Sequence, residues 1–264
     1  MANIVAIDQG TTSTRSLVVG EDGAIAIVKA IRHGQHHPNP GWVEHDPEEL
    51  LANIRICLEA AGPAAAVGLS NQGESCLAWD ATTGKPLSPV IVWQDGRTAD
   101  MVEGLRADGK AATVLERAGL PLDPYFSATK FRWMLDNLPE VAKARAAGRL
   151  RLGTTDAFFL QRLTGEFATD ATTASRTSLM NLATGAWTRS SAPCSACPST
   201  ACRRSGRPWR PSAGRRPGRS PRPSSISRPR STAIAAVGPA TSRSPSAPAP
   251  SAWPSPRRSP RHHR

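Results

Sequence analysis

Apolar and polar positions alternate in short blocks over the first third of the chain. Residues 4–7 form an apolar run, residues 8–16 are mostly polar, and residues 17–19 are apolar again. That pattern predicts a strand, a tight turn and a second strand, the first strand covered on both faces. Glu21-Asp22-Gly23 is a turn signal, and residues 24–32 read as a third strand. Three strands joined by tight turns make the antiparallel start of a mixed sheet. The period then changes. Asp46 is the expected cap of a helix, Pro47 takes its first position, and Glu49 completes a capping box. Leu50, Leu51, Ile54, Cys57 and Leu58 recur at helical spacing, and Gly62-Pro63 ends the helix. Residues 67–70 read as a buried strand. Residues 76–79 and 89–94 flank the turn at 80–85 as a hairpin. Helical patterns cover 97–105, 111–118, 128–135 and 156–163, the last capped by Gly153-Thr154-Thr155. Residues 121–126 are a rigid loop. Residues 169–181 are a polar loop before a last short strand.

Composition divides the chain near Trp187. Residues 1–187 carry 17 Lys and Arg against 21 Asp and Glu, a net charge of −4. Residues 188–264 carry 16 Arg and no Lys, Asp or Glu, and hold 15 of the 24 prolines. The sequence pI of 10.7 therefore belongs to the tail. The first part is long enough to bury a core. The tail is poor in large aliphatics and is expected to be disordered. No secretory leader and no membrane-spanning run is visible, which points to the cytoplasm. Cys57 and Cys76 read as reduced, partly buried thiols. Cys194 and Cys197 have zinc-knuckle spacing but no second pair, so no metal is expected there.

Candidate chemistry lies in two polar clusters. In Asp8-Gln9-Gly10-Thr11-Thr12-Ser13, Gly10 lets main chain approach a ligand, and successive N–H groups in such a turn bind phosphate. Asp8 at the strand end can reach a Mg²⁺ ion, and Arg15 adds a cation for phosphates. Alone, the turn is equally an ordinary hairpin. Asn71-Gln72-Gly73-Glu74 follows a buried strand, where α/β sheets bind ligands, or is a solvated turn. Tyr125, the chain's one tyrosine, is either a core aromatic or a ring that closes on a small ligand. His33, His36 and His37 read as a solvated loop, no carboxylate or Cys being fixed beside them.

Together these stretches resemble the glycerol kinase branch of the FGGY carbohydrate kinases. The matching pieces are Ala6-Ile7-Asp8-Gln9-Gly10-Thr11-Thr12-Ser13-Thr14-Arg15, residues 41–47, Gly84-Lys85-Pro86, Ile91-Val92-Trp93-Gln94, Asp123-Pro124-Tyr125-Phe126-Ser127 and Ala174-Ser175-Arg176-Thr177. They stand in the family's order and spacing across residues 4–187. The resemblance implies an α/β domain of ribonuclease-H-like (actin-like ATPase) architecture, with a mixed sheet and flanking helices. In a complete enzyme a second such domain follows, with ATP between the two. The implied activity is ATP-dependent phosphorylation of a small polyol, glycerol first, another polyol or sugar second. Thr11, Thr12, Ser13 and Arg15 match the nucleotide-phosphate contacts. Asp8 matches the carboxylate near Mg²⁺. Glu74, Trp93 and Tyr125 match the polyol pocket. One departure is Gly73, where glycerol kinases carry an Arg that donates to two glycerol hydroxyls.

The resemblance stops at Trp187, so the family's catalytic Asp, second phosphate loop and ATP-side domain are absent. One G restored before the codons of Thr188-Arg189-Ser190-Ser191-Ala192-Pro193-Cys194-Ser195-Ala196-Cys197, in GC-rich usage, and the frame read on from there, gives Asp-Pro-Glu-Leu-Cys-Ala-Leu-Phe-Gly-Val-Pro. The same frame turns Ile226-Ser227-Arg228-Pro229-Arg230-Ser231-Thr232 into Asp-Gln-Gln-Ala-Ala-Leu-Tyr, which carries the catalytic Asp. Residues 242–251 become Lys-Ile-Thr-Phe-Gly-Thr-Gly-Ala-Phe, the second phosphate loop. Residues 188–264 are therefore expected to be an out-of-frame translation, and the chain as written to be inactive. The competing reading is a basic tail that binds RNA or DNA phosphates. Against it stand the lack of Lys, of regularly spaced stacking aromatics and of a recognisable module.

Overall fold

A computed structural model describes residues 3–187 and the backbone of residues 234–236. The apolar blocks of the N-terminus form β1 (Ile4–Gln9), β2 (Ser13–Val19) and β3 (Ile25–Arg32), joined as antiparallel hairpins. β4 (Glu44–His45) then leads into α1 (Pro47–Ala61), which the chain crosses to reach β5 (Ala66–Ser70), parallel to β1. A parallel return needs such a crossover, and the helix supplies it. The sheet is mixed, as expected, and β3 forms its open edge.

Local chemistry explains α1. The Asp46 carboxylate accepts from the N–H groups of Glu48 and Glu49, Pro47 needs no partner at the first position, and Gly62 closes the end at φ +74°. The capping box is not formed. Glu49 turns away and accepts from the Gly34 N–H at 3.2 Å from each carboxylate oxygen.

The second layer is β6 (Cys76–Asp80), β7 (Val90–Ile91) and β8 (Leu150–Thr154), with β4 at one edge. The expected hairpin is only partly made. β6 meets β7 at Cys76↔Ile91, while all five of its residues pair antiparallel with β8. Each residue of β6 is buried, and its alternation feeds two cores. Leu77 and Trp79 join Val5, Ile7, Leu50, Ile54 and Phe158 between the first sheet, α1 and α6 (Thr155–Thr164). Cys76 and Ala78 join Phe131, Met134, Val141 and Leu152 beneath α4 (Ser127–Asn137) and α5 (Pro139–Ala146). A small third cluster holds α2 (Ala99–Ala107) and α3 (Ala111–Ala118) together through Val102, Val114 and Leu122. The chain continues through α7 (Ala171–Ser175) and the hairpin β9 (Met180–Asn181) and β10 (Ala186–Trp187).

Four expectations change. β1 is covered on one face only, with Ile4 49% exposed, because α1 packs against Val5 and Ile7 and nothing described covers the other side. Cys57 and Cys76 are free but fully rather than partly buried. α5 and β8 were not expected. The polar loop after Thr169 contains α7, capped by the Asp170 carboxylate on the Thr173 N–H. The expectations for residues 188–264, including the Cys194–Cys197 spacing, lie outside the described residues. The exception is β11 (Ile234–Ala236), whose backbone pairs parallel with β5.

Candidate functional site: a hairpin turn facing an aromatic pocket

Parallel pairing sets Asp8 of β1 opposite Ser70 of β5, so the loops that follow both strands emerge side by side. Ligands of α/β sheets sit at such carboxyl ends. Gln72 ties the loops together: its amide donates to the Gly10 carbonyl at 3.0 Å and to the Gln9 side chain at 3.3 Å.

The first cluster is the β1–β2 turn. Gly10 N–H donates to the Ser13 carbonyl at 2.9 Å, which closes the turn. The N–H groups of Thr11 and Thr12 make no backbone hydrogen bond among the described residues, as an anion-binding turn requires. Thr12 is exposed and Ser13 half-buried. Thr11 is held twice. Its carbonyl accepts from the His33 ring at 2.9 Å, and its hydroxyl accepts from the Trp93 indole N–H at 3.2 Å. Arg15 is the cross-strand partner of Asp8 and is exposed, so the two side chains share one face. Among the described residues no group of three or more His, Cys, Asp or Glu could hold a metal ion. A lone Asp8 fits Mg²⁺, which takes one or two carboxylates, phosphate oxygens and water.

The second cluster is built around Glu74, whose carboxylate is buried and accepts from Arg176 Nε at 2.6 Å. The Arg176 guanidinium in turn stands 5.9 Å from the centre of the Tyr125 ring. Burial, reinforced by the Glu74 charge, raises the Tyr125 pKa. The Tyr125 ring lies 5.3 Å from Trp93 and 5.2 Å from Phe126. Beneath both walls, the fully buried Lys130 ammonium donates to the carbonyls of Trp93 and Tyr125 at 3.1 and 3.0 Å. Burial lowers its pKa to about 8 and pushes the Cys76 thiol beside it up to about 12.

The structure thus brings the eight expected residues into two adjoining groups. Asp8, Thr11, Thr12, Ser13 and Arg15 surround the turn, and Glu74, Trp93 and Tyr125 form the pocket. The bond from Trp93 to Thr11 joins them. Sequence reasoning missed Arg176 and Lys130 as site residues, although both lie within or beside the family-like motifs. It also misplaced His33. The ring is half-buried against the turn, 4.7 Å from His45. Desolvation lowers the His33 pKa, and takes that of His45 down to about 4 with help from the neighbouring histidine charges.

A mixed sheet with flanking helices, and a hairpin turn beside a carboxylate-and-aromatic cluster, is the arrangement to compare with known proteins. The model of the FGGY family of carbohydrate kinases, N-terminal domain, matches residues 3–200, and the chain belongs to that family. Among curated relatives, glycerol kinase of Bradyrhizobium diazoefficiens is 47% identical over 198 residues, 71% of this chain and 39% of that protein. Glycerol kinase 1 of Pseudomonas aeruginosa is 47% identical over 194 residues, 70% of this chain and 39% of that protein. Among solved structures, Plasmodium falciparum glycerol kinase with ADP matches with a TM-score of 0.67 at 32% identity, over 74% of this chain and 40% of that one. Xylulose kinase from Rhodospirillum rubrum matches with a TM-score of 0.66 at 25% identity, over 76% and 42%. The chain spans about 39% of the length of the curated relatives it matches. No helix among the described residues is long and apolar enough to cross a membrane.

Proposed function

We propose that residues 1–187 are the polyol-side domain of an ATP-dependent glycerol kinase, which forms glycerol 3-phosphate. The observation that carries this reading is the Trp93–Thr11 hydrogen bond of 3.2 Å, which sets a polyol pocket directly against a phosphate-binding turn. The names of the curated relatives favour glycerol among polyols, and the ADP named for the Plasmodium relative favours an adenine nucleotide. When bound, ATP supplies the phosphoryl group and Mg²⁺ neutralises its charge. The chain's own residues position. The Thr11 and Thr12 N–H groups and Arg15 receive phosphate oxygens, and Asp8 takes the metal or its water. Glu74 accepts hydrogen bonds from vicinal hydroxyls, while Trp93 and Tyr125 cover the carbon face and exclude water.

No described residue is placed as a general base. Glu74 is already bonded to Arg176, and the Asp expected from the restored reading frame is not in this sequence. On this reading the chain as written is expected to bind polyol without transferring phosphate. Residues 188–264 are read as out-of-frame translation, with the alternative of a nucleic-acid-binding tail. The test uses two genes: one encoding the present chain and one with a single base restored after the Trp187 codon. The expected result is glycerol-dependent ADP release only from the restored gene. Turnover at an ordinary enzymatic rate by the present chain refutes the reading, as do independent clones of the source gene that all retain this frame. RNA binding that weakens with salt and vanishes on deletion of residues 188–264 would favour the tail instead.

A further inference from the structure

Gly73 has no side chain, and the pocket beside it would be expected either to lose a donor or to gain room. The geometry leaves the room and brings a donor from another element. A Cβ built on Gly73 would meet only one neighbour within 4 Å, the Cγ of Arg176 at 3.8 Å. The stem of Arg176 therefore passes beside the glycine and leaves room for a Cβ there. Its head continues to Glu74, with Nε 2.6 Å from Oε1. The guanidinium also stands 5.1 Å from the centre of the Phe126 ring and 5.9 Å from that of Tyr125. The anchor is firm. Arg176 follows α7 directly, and Ser178 two residues on holds a left-handed φ of +60° that turns the chain back. A guanidinium has five N–H donors. One is spent on Glu74. The side chain is 36% exposed, so donors remain at the open side of the pocket.

We propose that Arg176 is the cationic polyol-binding residue of this pocket, reaching across Gly73 from a different element. This rests on the polyol-kinase reading above. A guanidinium beside a carboxylate presents paired donors and acceptors, which suits two adjacent hydroxyls of one small molecule.

The experiment measures binding of glycerol, erythritol and xylitol to the full chain by ligand-observed NMR, with circular dichroism to check folding. Glycerol is expected to bind, and any erythritol or xylitol binding should fall in Arg176→Gln as glycerol binding does. Arg176→Gln should weaken glycerol by about tenfold, the loss of one charge-assisted bond. The double variant Gly73→Arg/Arg176→Gln should regain most of that loss, because a side chain at 73 would start 3.8 Å from the Arg176 Cγ and reach the same pocket. A folding defect in Arg176→Gln would not be repaired in this way. If Arg176→Gln binds glycerol as the parent does, or the double variant recovers nothing, the proposal is overturned while the reading stands. If the parent binds no polyol at all, and Glu74→Gln changes nothing, the polyol-kinase reading itself has failed and this proposal with it.

Discussion

Replacing Arg97 by Met should be the most damaging single change near the pocket. The Arg97 side chain is 1% exposed. Its guanidinium donates to Glu44 at 2.6 Å and to both Asp95 oxygens at 2.8 and 2.9 Å, and lies 3.8 Å over Trp42 and 4.6 Å from Trp133. It therefore pins β4, the segment that carries Trp93, and α4 to one another. Met keeps the stem and removes the cation. Leaving a buried partner charge uncompensated costs about 3–5 kcal/mol. Asp95 retains the N–H groups of Val43 at 2.7 Å and of residue 97 at 2.9 Å, which places the cost at the lower end of that range. Lost stacking on the two indoles adds about 1 kcal/mol. A total of about 4 kcal/mol in a domain of this size lowers Tm by about 8–16 °C. Differential scanning calorimetry on the chain and on Arg97→Met reads this directly. Arg97→Lys, which keeps the charge without the planar fork, should recover part of the loss. A fall of less than about 4 °C for Arg97→Met, against the expectation for a broken buried pair, would refute the reasoning.

Gly153→Ala should destabilise by about 1–3 kcal/mol, because its Cβ would stand 2.7 Å from the buried Trp79 ring; urea melts measure the loss, and an unchanged midpoint counts against it. His45 gives a pH dependence. Its neutral form is the one the fold accepts, so between its ordinary pKa of 6.5 and about 4 the unfolded chain binds the proton first. Stability is complete above pH 6.5 and falls by roughly 3 kcal/mol as pH drops to 4; in His45→Asn that slope should flatten. Thr11→Val keeps the turn but removes the acceptor of the Trp93 indole. Its glycerol binding, read by the same NMR titration, should weaken by about 1 kcal/mol, and parent-like binding would dissociate Thr11 from the pocket.

What could be read in advance was local. Asp46, Pro47 and Gly62 mark α1 because caps and breakers act on neighbouring backbone. The turn at residues 10–12 and the strands around it were visible for the same reason. α5 was not, since among its eight residues only Val141 and Ala144 are buried and no periodic stripe results. β8 was hidden because its partner β6 lies about seventy residues earlier, and no pattern in one strand names its neighbour. The eight candidate residues came from motifs, yet what gathers them is long-range. The Glu74–Arg176 bond spans 102 positions and the Thr11–Trp93 bond 82. Buried His45 carried no signal at all, because its environment is made by His33 and Gln72 from two other segments.

β3 lies at the rim of its sheet, with Ile25 67% and Ile27 63% accessible to water and only the irregularity near Ser16 to disturb the ladder behind it. A greasy, unclaimed hydrogen-bonding row of this length invites another polypeptide to zip onto it. Such an edge favours association between copies over the folded monomer unless it is covered or charged. Recombinant yield should accordingly rise when Ile25 and Ile27 are changed to lysine, a substitution that leaves the buried face of the sheet untouched.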